Sequence, residues 1–259
     1  MNIDNRGSRR GGRHGVEEDA SAIPSAAYNT IERVPTGIPG VDDLIEGGLP
    51  RGRIVLLSGP AGAGKTTFGF QFLHHGITTA EENGVFVSLE EEIADLYQEM
   101  RRYGWNLMEF VGEKKLSLIK SPIPVVVNTP LTIDSLMDRI HTAVVQVNAK
   151  RLVFDSLAAL GLCYSDPVNL RRDVLRLCDL LRELGCTTLL TTEVPENDLH
   201  GAGFGIEQLV TQGMILLHVS QTYRAIEVRK MRGTRHDTNV HRLRMSDRGL
   251  LVSPGEHPF

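Results

Sequence analysis

The chain has few of the features that mark secreted, membrane-spanning or polyanion-coating proteins. Its 3 cysteines, Cys163, Cys178 and Cys186, show no metal-binding spacing, so we expect free thiols in a reducing cytoplasm. No apolar run approaches the roughly 20 residues that cross a bilayer, and we recognise no apolar core of a signal peptide. The net charge of −4 argues against a protein that coats nucleic acid through bulk positive charge.

The composition and its distribution predict one globular domain between two tails. Hydrophobic residues make up 41% and charged residues 23% of the chain, which are ordinary globular values. Residues 1–28 are rich in Gly, Arg, Ser and Ala without apolar periodicity, so we interpret them as a disordered tail. Its basic stretch Arg6–Gly15 leaves weak nucleic-acid contact open beside a merely solvated role. The domain is predicted over 29–254, followed by a short tail over 255–259.

Apolar strand patterns alternate with amphipathic helical patterns along this domain. The predicted strands are Arg53–Ser58, Gly84–Leu89, Leu116–Ile119, Arg151–Ser156, Thr187–Thr192, Met214–Val219, Ala225–Lys230 and Arg242–Met245. The predicted helices are Gly40–Ile45, Lys65–Thr78, Ile93–Tyr103, Ile133–Val144 and Leu170–Leu181, and Lys120–Pro130 shows no clear element. This alternation predicts an α/β fold, with a mostly parallel central sheet, helices on both faces and an antiparallel C-terminal extension.

A glycine-rich loop follows the first core strand and carries the strongest chemical signal. It reads Gly59-Pro60-Ala61-Gly62-Ala63-Gly64-Lys65-Thr66-Thr67, a strand–loop–helix phosphate-binding loop. Its glycines allow the backbone N–H groups to approach phosphate oxygens, and the helix N-terminus adds partial positive charge. Lys65 can reach the β- and γ-phosphates, and the Thr66 hydroxyl can coordinate Mg²⁺.

Carboxylates end three other predicted strands, at Glu90/Glu91, Asp155 and Glu193, and ligands gather at such strand ends in these sheets. Asp155 is the expected acidic partner of Mg²⁺, through a bound water, with a structural cap as the alternative. Glu90 and Glu91 are expected to orient or deprotonate the attacking water, since we place them at a strand next to the phosphate-loop strand. The alternative for both is an acidic helix N-terminus. Glu92 is assigned to the helix alone.

The C-terminal part is basic within an acidic chain. From Arg224 to Arg248 there are eight Arg or Lys residues and three acids. Lys230 and Arg232 are two residues apart on a predicted strand, so they share a face and could engage one polyanion. That polyanion could be a triphosphate bound to a neighbouring subunit. A solvated basic edge or a DNA-binding strip explains the pattern equally well.

Together these segments resemble the KaiC domain, within the RecA/RadA-like P-loop ATPases. The resemblance extends from about Ile31 to Val252. Besides the phosphate loop, the matching segments are Pro35-Thr36-Gly37-Ile38-Pro39-Gly40, Gly47-Gly48-Leu49-Pro50-Arg51-Gly52, Val87-Ser88-Leu89-Glu90-Glu91, Tyr103-Gly104-Trp105, Phe154-Asp155-Ser156, Thr191-Thr192-Glu193 and Lys230-Met231-Arg232-Gly233-Thr234.

The resemblance implies a ring, usually a hexamer, with ATP held between subunits. It makes Glu90 and Glu91 the catalytic carboxylates and gives Arg102 a nucleotide contact in its own subunit. It implies that the adjacent subunit contributes Lys230, Met231, Arg232, Thr234 and His236, with Ser246 and Asp247 from that same subunit at the base or ribose.

Two departures from the family pattern bear on function. The circadian KaiC has two such domains in tandem, and this chain has one. Gln208 and Leu209 stand where its kinase half has a Ser-Thr acceptor pair, with Thr211 the nearest hydroxyl. We therefore predict slow, Mg²⁺-dependent ATP hydrolysis by a homo-oligomeric ring with a regulatory role and an unidentified partner protein. The alternatives are a DNA-acting ATPase and an autokinase.

Overall fold

The centre of the molecule is a twisted sheet whose strands are short, buried and rich in β-branched residues. The computed structural model describes residues 31–121, 133–194, 210–253 and 255. Its strands are β1 (Arg33–Val34), β2 (Leu49–Pro50), β3 (Ile54–Gly59), β4 (Gly84–Ser88), β5 (Leu116–Lys120), β6 (Arg151–Asp155), β7 (Thr187–Glu193), β8 (Gly213–Val219), β9 (Arg224–Met231), β10 (Val240–Ser246) and β11 (Gly249–Ser253). β1 and β2 pair with each other, and the other nine form one sheet within the described residues.

The strand order in the large sheet is β11-β10-β9-β8-β3-β7-β6-β4-β5. The six strands from β8 to β5 in this order are parallel. β9, β10 and β11 continue the sheet in antiparallel pairs. The predicted mostly parallel sheet with an antiparallel C-terminal extension is therefore confirmed.

Helices cover both faces of the parallel strands. They are α1 (Lys65–Thr79), α2 (Ile93–Arg101), α3 (Leu107–Gly112), α4 (Ile133–Val147), α5 (Leu157–Gly161) and α6 (Pro167–Glu183). Alternate residues of β3 face different cores, because side chains alternate along a strand. Val55 and Leu57 pack with α1, α2 and α3, whereas Ile54 and Leu56 pack with α4, α5 and α6.

The structure adds short elements to those predicted. The predicted helix Gly40–Ile45 is a 3₁₀ turn over Asp42–Ile45, and α3 and α5 have only 6 and 5 residues. Such helices are too short to show a clear apolar period. β11 and the β1–β2 pair were also not predicted.

Three further predictions concern residues that are described only in part or not at all. The tail 1–28 lies outside the described residues, as do most of Lys120–Pro130 and of the segment 255–259. Within the described part of the chain, every helix is too short or too polar to cross a bilayer.

Candidate active site

The phosphate loop joins β3 to α1 and borders a cavity of about 370 Å³ at the carboxyl end of the sheet. Gly62 and Gly64 have φ of +72° and +99°, a region that favours glycine. The Lys65 Nζ donates hydrogen bonds to the carbonyl oxygens of Gly59 and Pro60, each at 2.9 Å. Burial lowers the pKa of Lys65, and nearby carboxylates, Glu193 first, oppose that shift.

Thr66 and Asp155 meet at the side of this cavity. The Thr66 Oγ1 donates to the Asp155 Oδ2 at 2.8 Å, and Thr191 donates to the other oxygen of the same carboxylate. Burial raises the pKa of Asp155, and these two hydrogen bonds oppose the shift. The cap of α5 is Ser156, whose Oγ accepts from the Ala159 N–H, so Asp155 does not serve as that cap.

The donor set at this point fits Mg²⁺. Mg²⁺ prefers hard oxygen ligands, with one or two protein oxygens completed by phosphate and water. The Thr66 hydroxyl and the Asp155 carboxylate supply such oxygens, and both line the cavity beside the phosphate loop. Among the described residues there is no cluster of three or more His, Cys, Asp or Glu side chains that could hold a metal without a ligand's help.

Glu90 and Glu91 line the same cavity, although β4 is not beside β3. β7 and β6 lie between them, so the expected neighbouring position of the Glu90–Glu91 strand is wrong. The two carboxylates reach the cavity because Ser88 at the end of β4 pairs with Asp155 at the end of β6. The Ser156 Oγ donates to the Glu90 Oε1.

The Glu91 carboxylate has an unusual environment. Burial is the main cause that raises the pKa of Glu91 to about 7, and nearby carboxylates, Glu99 first, add to it. Its Oε2 is buried without a hydrogen-bond partner among the described residues. A carboxyl that titrates near neutral pH suits proton transfer to or from water.

Several cavity residues were not predicted. Arg102, which was predicted, lines the cavity, but so do Glu99, Met100, Tyr103, Ser156, Glu193 and Met245. Glu193 was noted only as a residue that ends a strand. Glu99 and Arg102 are three residues apart at the end of α2. Helical spacing from Arg102, which the resemblance implied, could therefore have found Glu99.

Ser246 and Asp247 form the turn between β10 and β11, beside the chain's own phosphate loop. Met245 lines the cavity, and its Cε lies 3.5 Å from where a Cβ on Gly64 would stand. The expectation that Ser246 and Asp247 serve the base or ribose of a neighbouring subunit's nucleotide stays a prediction. The Ser246 hydroxyl is used within the turn, since it donates to the Gly249 carbonyl at 2.9 Å and accepts from the Arg248 N–H.

β9 connects two distant regions of the sheet. At its start, the Arg224 Nε donates to the Gly62 carbonyl of the phosphate loop at 3.1 Å. At its end, Met231 pairs with Gly213, which pairs with Val55 near the start of β3. Val55 precedes Gly59 by four residues, so the end of β9 lies about 13 Å along the sheet from the loop.

The segment Lys230–His236 accordingly does not line the chain's own cavity. The Lys230 Nζ donates to the Thr211 carbonyl at 2.7 Å, and Arg232 is exposed. Met231 is buried, 3% exposed. Thr234 accepts a hydrogen bond from Arg33, and His236 Nδ1 lies 3.2 Å from the Thr234 carbonyl.

Thr211, the nearest hydroxyl to the expected acceptor position, is fully buried. It is 0% exposed and lies just before β8, at the amino end of the parallel strands. Phosphate transfer to Thr211 would require that this part of the core open. Gln208 and Leu209 lie outside the described residues.

Comparisons with known proteins agree with this architecture. Residues 34–257 match the family described as the KaiC ATPase. The circadian clock oscillator protein KaiC of Prochlorococcus marinus is 36% identical over 242 residues, which cover 91% of this chain and 48% of that protein. KaiC of Thermosynechococcus vestitus is 37% identical over 228 residues, 85% of this chain and 44% of that protein. The chain thus spans about half the length of these relatives.

A solved structure extends the agreement to the fold. The crystal structure of a KaiC-like protein from the hyperthermophilic archaeon Pyrococcus horikoshii superposes with a TM-score of 0.79 at 38% identity, and the match covers 87% of this chain and 100% of that one. Since the family match includes the phosphate loop, Asp155, and the Glu90–Glu91 pair, the chain belongs to the KaiC family of ATPases.

Proposed function

We propose that this protein hydrolyses ATP with Mg²⁺ at the subunit interfaces of a homo-oligomeric, hexameric ring. The central support is the separation of two sets of charged residues along the sheet. Lys65, Thr66 and the carboxylates line the cavity at the carboxyl ends of the parallel strands, whereas Lys230 and Arg232 lie at the amino ends of those strands. A basic segment that cannot serve its own cavity suits the phosphates bound to another copy of the chain.

Within one subunit, the cavity residues have different roles in binding and hydrolysis. The phosphate loop and Lys65 bind the β- and γ-phosphates, with Gly59, Gly62, Ala63, Gly64, Thr66 and Thr67 contributing backbone or hydroxyl groups. When bound, Mg²⁺ offsets the negative charge of the phosphates, held by Thr66 and Asp155. Glu90 and Glu91 orient the attacking water and accept its proton. Arg102 contacts the nucleotide from the same subunit.

The neighbouring subunit completes the site. In this proposal the segment Lys230–His236 supplies cations and hydrogen bonds to the triphosphate, with Lys230 and Arg232 on the phosphates and Met231, Thr234 and His236 as further contacts. Ser246 and Asp247 of that same neighbouring subunit contact the base or ribose. ADP remains after hydrolysis, and the role of the cycle is regulatory, through a partner protein.

Two variants test the chemistry within one subunit. Lys65→Ala should abolish ATP binding, because it removes the charge that holds the phosphates. Glu90→Gln/Glu91→Gln should keep ATP binding but lower kcat by about 10²–10⁴, the usual contribution of a general base. Calorimetry measures ATP binding, and phosphate release measures kcat. Glu113→Gln, at an exposed position, is the matched control. Turnover near that of the wild type in either variant would contradict the assignment.

A further inference from the structure

The loop that carries Glu90 and Glu91 connects β4 to α2. Glu90 has its carboxylate held by Ser156. Glu91 differs, because its Oε2 is buried without a hydrogen-bond partner among the described residues. The position of the Glu91 carboxylate is therefore set by its backbone and by packing.

The backbone of this loop is fixed by Lys120. The Lys120 Nζ donates to the carbonyl oxygens of Glu90 at 2.8 Å and Glu91 at 3.1 Å. It also lies 3.3 Å from the Glu92 carboxylate. The Ser88 Oγ donates to the Glu91 carbonyl at 2.6 Å. Hydrogen bonds from a charged donor are stronger than neutral ones, so the two from Lys120 are the strongest contacts that hold the backbone of this loop.

Lys120 is itself held in place. It is the last residue of β5 and pairs with Ser88 of β4, and the Ser121 N–H donates to the Ser88 carbonyl at 2.9 Å. From α4, Arg139 donates to the Lys120 carbonyl at 2.8 Å. The Lys120 side chain is 17% exposed. Because the backbone at Lys120 is held on both sides, its side chain can hold the Glu90–Glu91 loop in one position.

We propose that Lys120 is a positioning residue for ATP hydrolysis, which fixes the Glu90–Glu91 backbone so that both carboxylates face the cavity. The inference rests on the proposed function. Lys120 does not line the cavity, so it acts through the loop and not by contact with the nucleotide. The inference thus assigns a role in hydrolysis to a residue of β5, the strand at one edge of the sheet.

The test compares Lys120→Met with Lys115→Met and Lys120→Arg. Lys115 lies just before β5 and forms an exposed ion pair with Glu113, so Lys115→Met controls for the loss of a positive charge near the same strand. We expect Lys120→Met to lower kcat by about tenfold to a hundredfold, because a displacement of about 1 Å at a catalytic group costs a factor of that size. The Kd for ADP and the number of ADP sites per chain should stay unchanged, and Lys120→Arg should recover part of kcat.

The outcomes separate the inference from the function on which it rests. A kcat of Lys120→Met equal to that of Lys115→Met would overturn the inference alone. A parallel loss of ADP sites would also overturn it, since that result indicates a general structural role. If the wild-type chain releases no phosphate from ATP, the proposed function fails, and the inference with it.

Discussion

At the scale of single residues, Glu91 is the group whose chemistry depends most on its surroundings. Its pKa of about 7 is raised by burial and by the carboxylates around the cavity. An ionised Glu91 can accept a proton from water, whereas a protonated one cannot. The fraction of Glu91 that is ionised therefore changes across neutral pH.

The pH dependence of turnover follows from this pKa. Below about pH 7 Glu91 becomes protonated, so kcat should fall as the pH is lowered from 8 to 6. Glu91→Gln should remove this acid limb from the profile of the residual activity. Steady-state phosphate release in a constant-ionic-strength buffer series measures both. A wild-type profile that is flat over this range would contradict the role of Glu91.

The same raised pKa of Glu91 makes the folded protein less stable as the pH rises, whereas turnover becomes faster. A carboxyl whose folded-state pKa is raised binds more protons in the folded state, so it costs stability as the pH rises above its unfolded value. Glu91→Gln should therefore have a higher Tm than the wild type at pH 8, and the difference should shrink at pH 5. Differential scanning calorimetry at the two pH values measures this second consequence of the same shift.

At the scale of elements, the sequence predicted the helices and strands that have a clear period, and the residues that end them. The phosphate loop, Asp155 and the Glu90–Glu91 pair could be found because each follows an apolar strand. The order of the strands could not, so β4 was expected beside β3. Lys120 was also missed, since its contacts depend on the pairing of β5 with β4 and not on any local pattern.

A buried ion pair joins β6 to α1 and to the N-terminal segment. Arg151 at the start of β6 is 0% exposed and donates to the Glu82 carboxylate at 2.7 Å and to the carbonyls of Pro35 and Phe72. Glu82 also pairs with Arg51 at 2.7 Å. An arginine in such a place needs its partner, because an unpaired buried charge is costly.

We therefore expect Glu82→Ala to lower the free energy of unfolding by about 3–5 kcal/mol, the usual cost of removing one partner of a buried pair. Asp179→Ala provides the comparison, since it removes an exposed pair with Arg182 and should cost no more than about 1 kcal/mol. Urea unfolding monitored by circular dichroism measures both. Equal losses in the two variants would show that Arg151 does not depend on Glu82.

At the scale of the whole molecule, β9 would relate one site to the next in the proposed ring. Arg224 at its start contacts the phosphate loop of its own chain, and Lys230 near its end lies at the amino ends of the parallel strands. One strand could thus contribute to two nucleotide sites in a ring. This arrangement would couple neighbouring sites without a further domain.

Mixed rings test the shared site most directly. One variant, Arg232→Ala, loses the group given to the neighbour, and the other, Glu90→Gln/Glu91→Gln, loses the groups used in its own cavity. Each alone should be nearly inactive. In a random equal mixture, about one quarter of the interfaces combine the intact side of each, so co-expressed rings should regain up to about a quarter of wild-type turnover. Mixed rings as inactive as either variant alone would contradict a site shared between subunits.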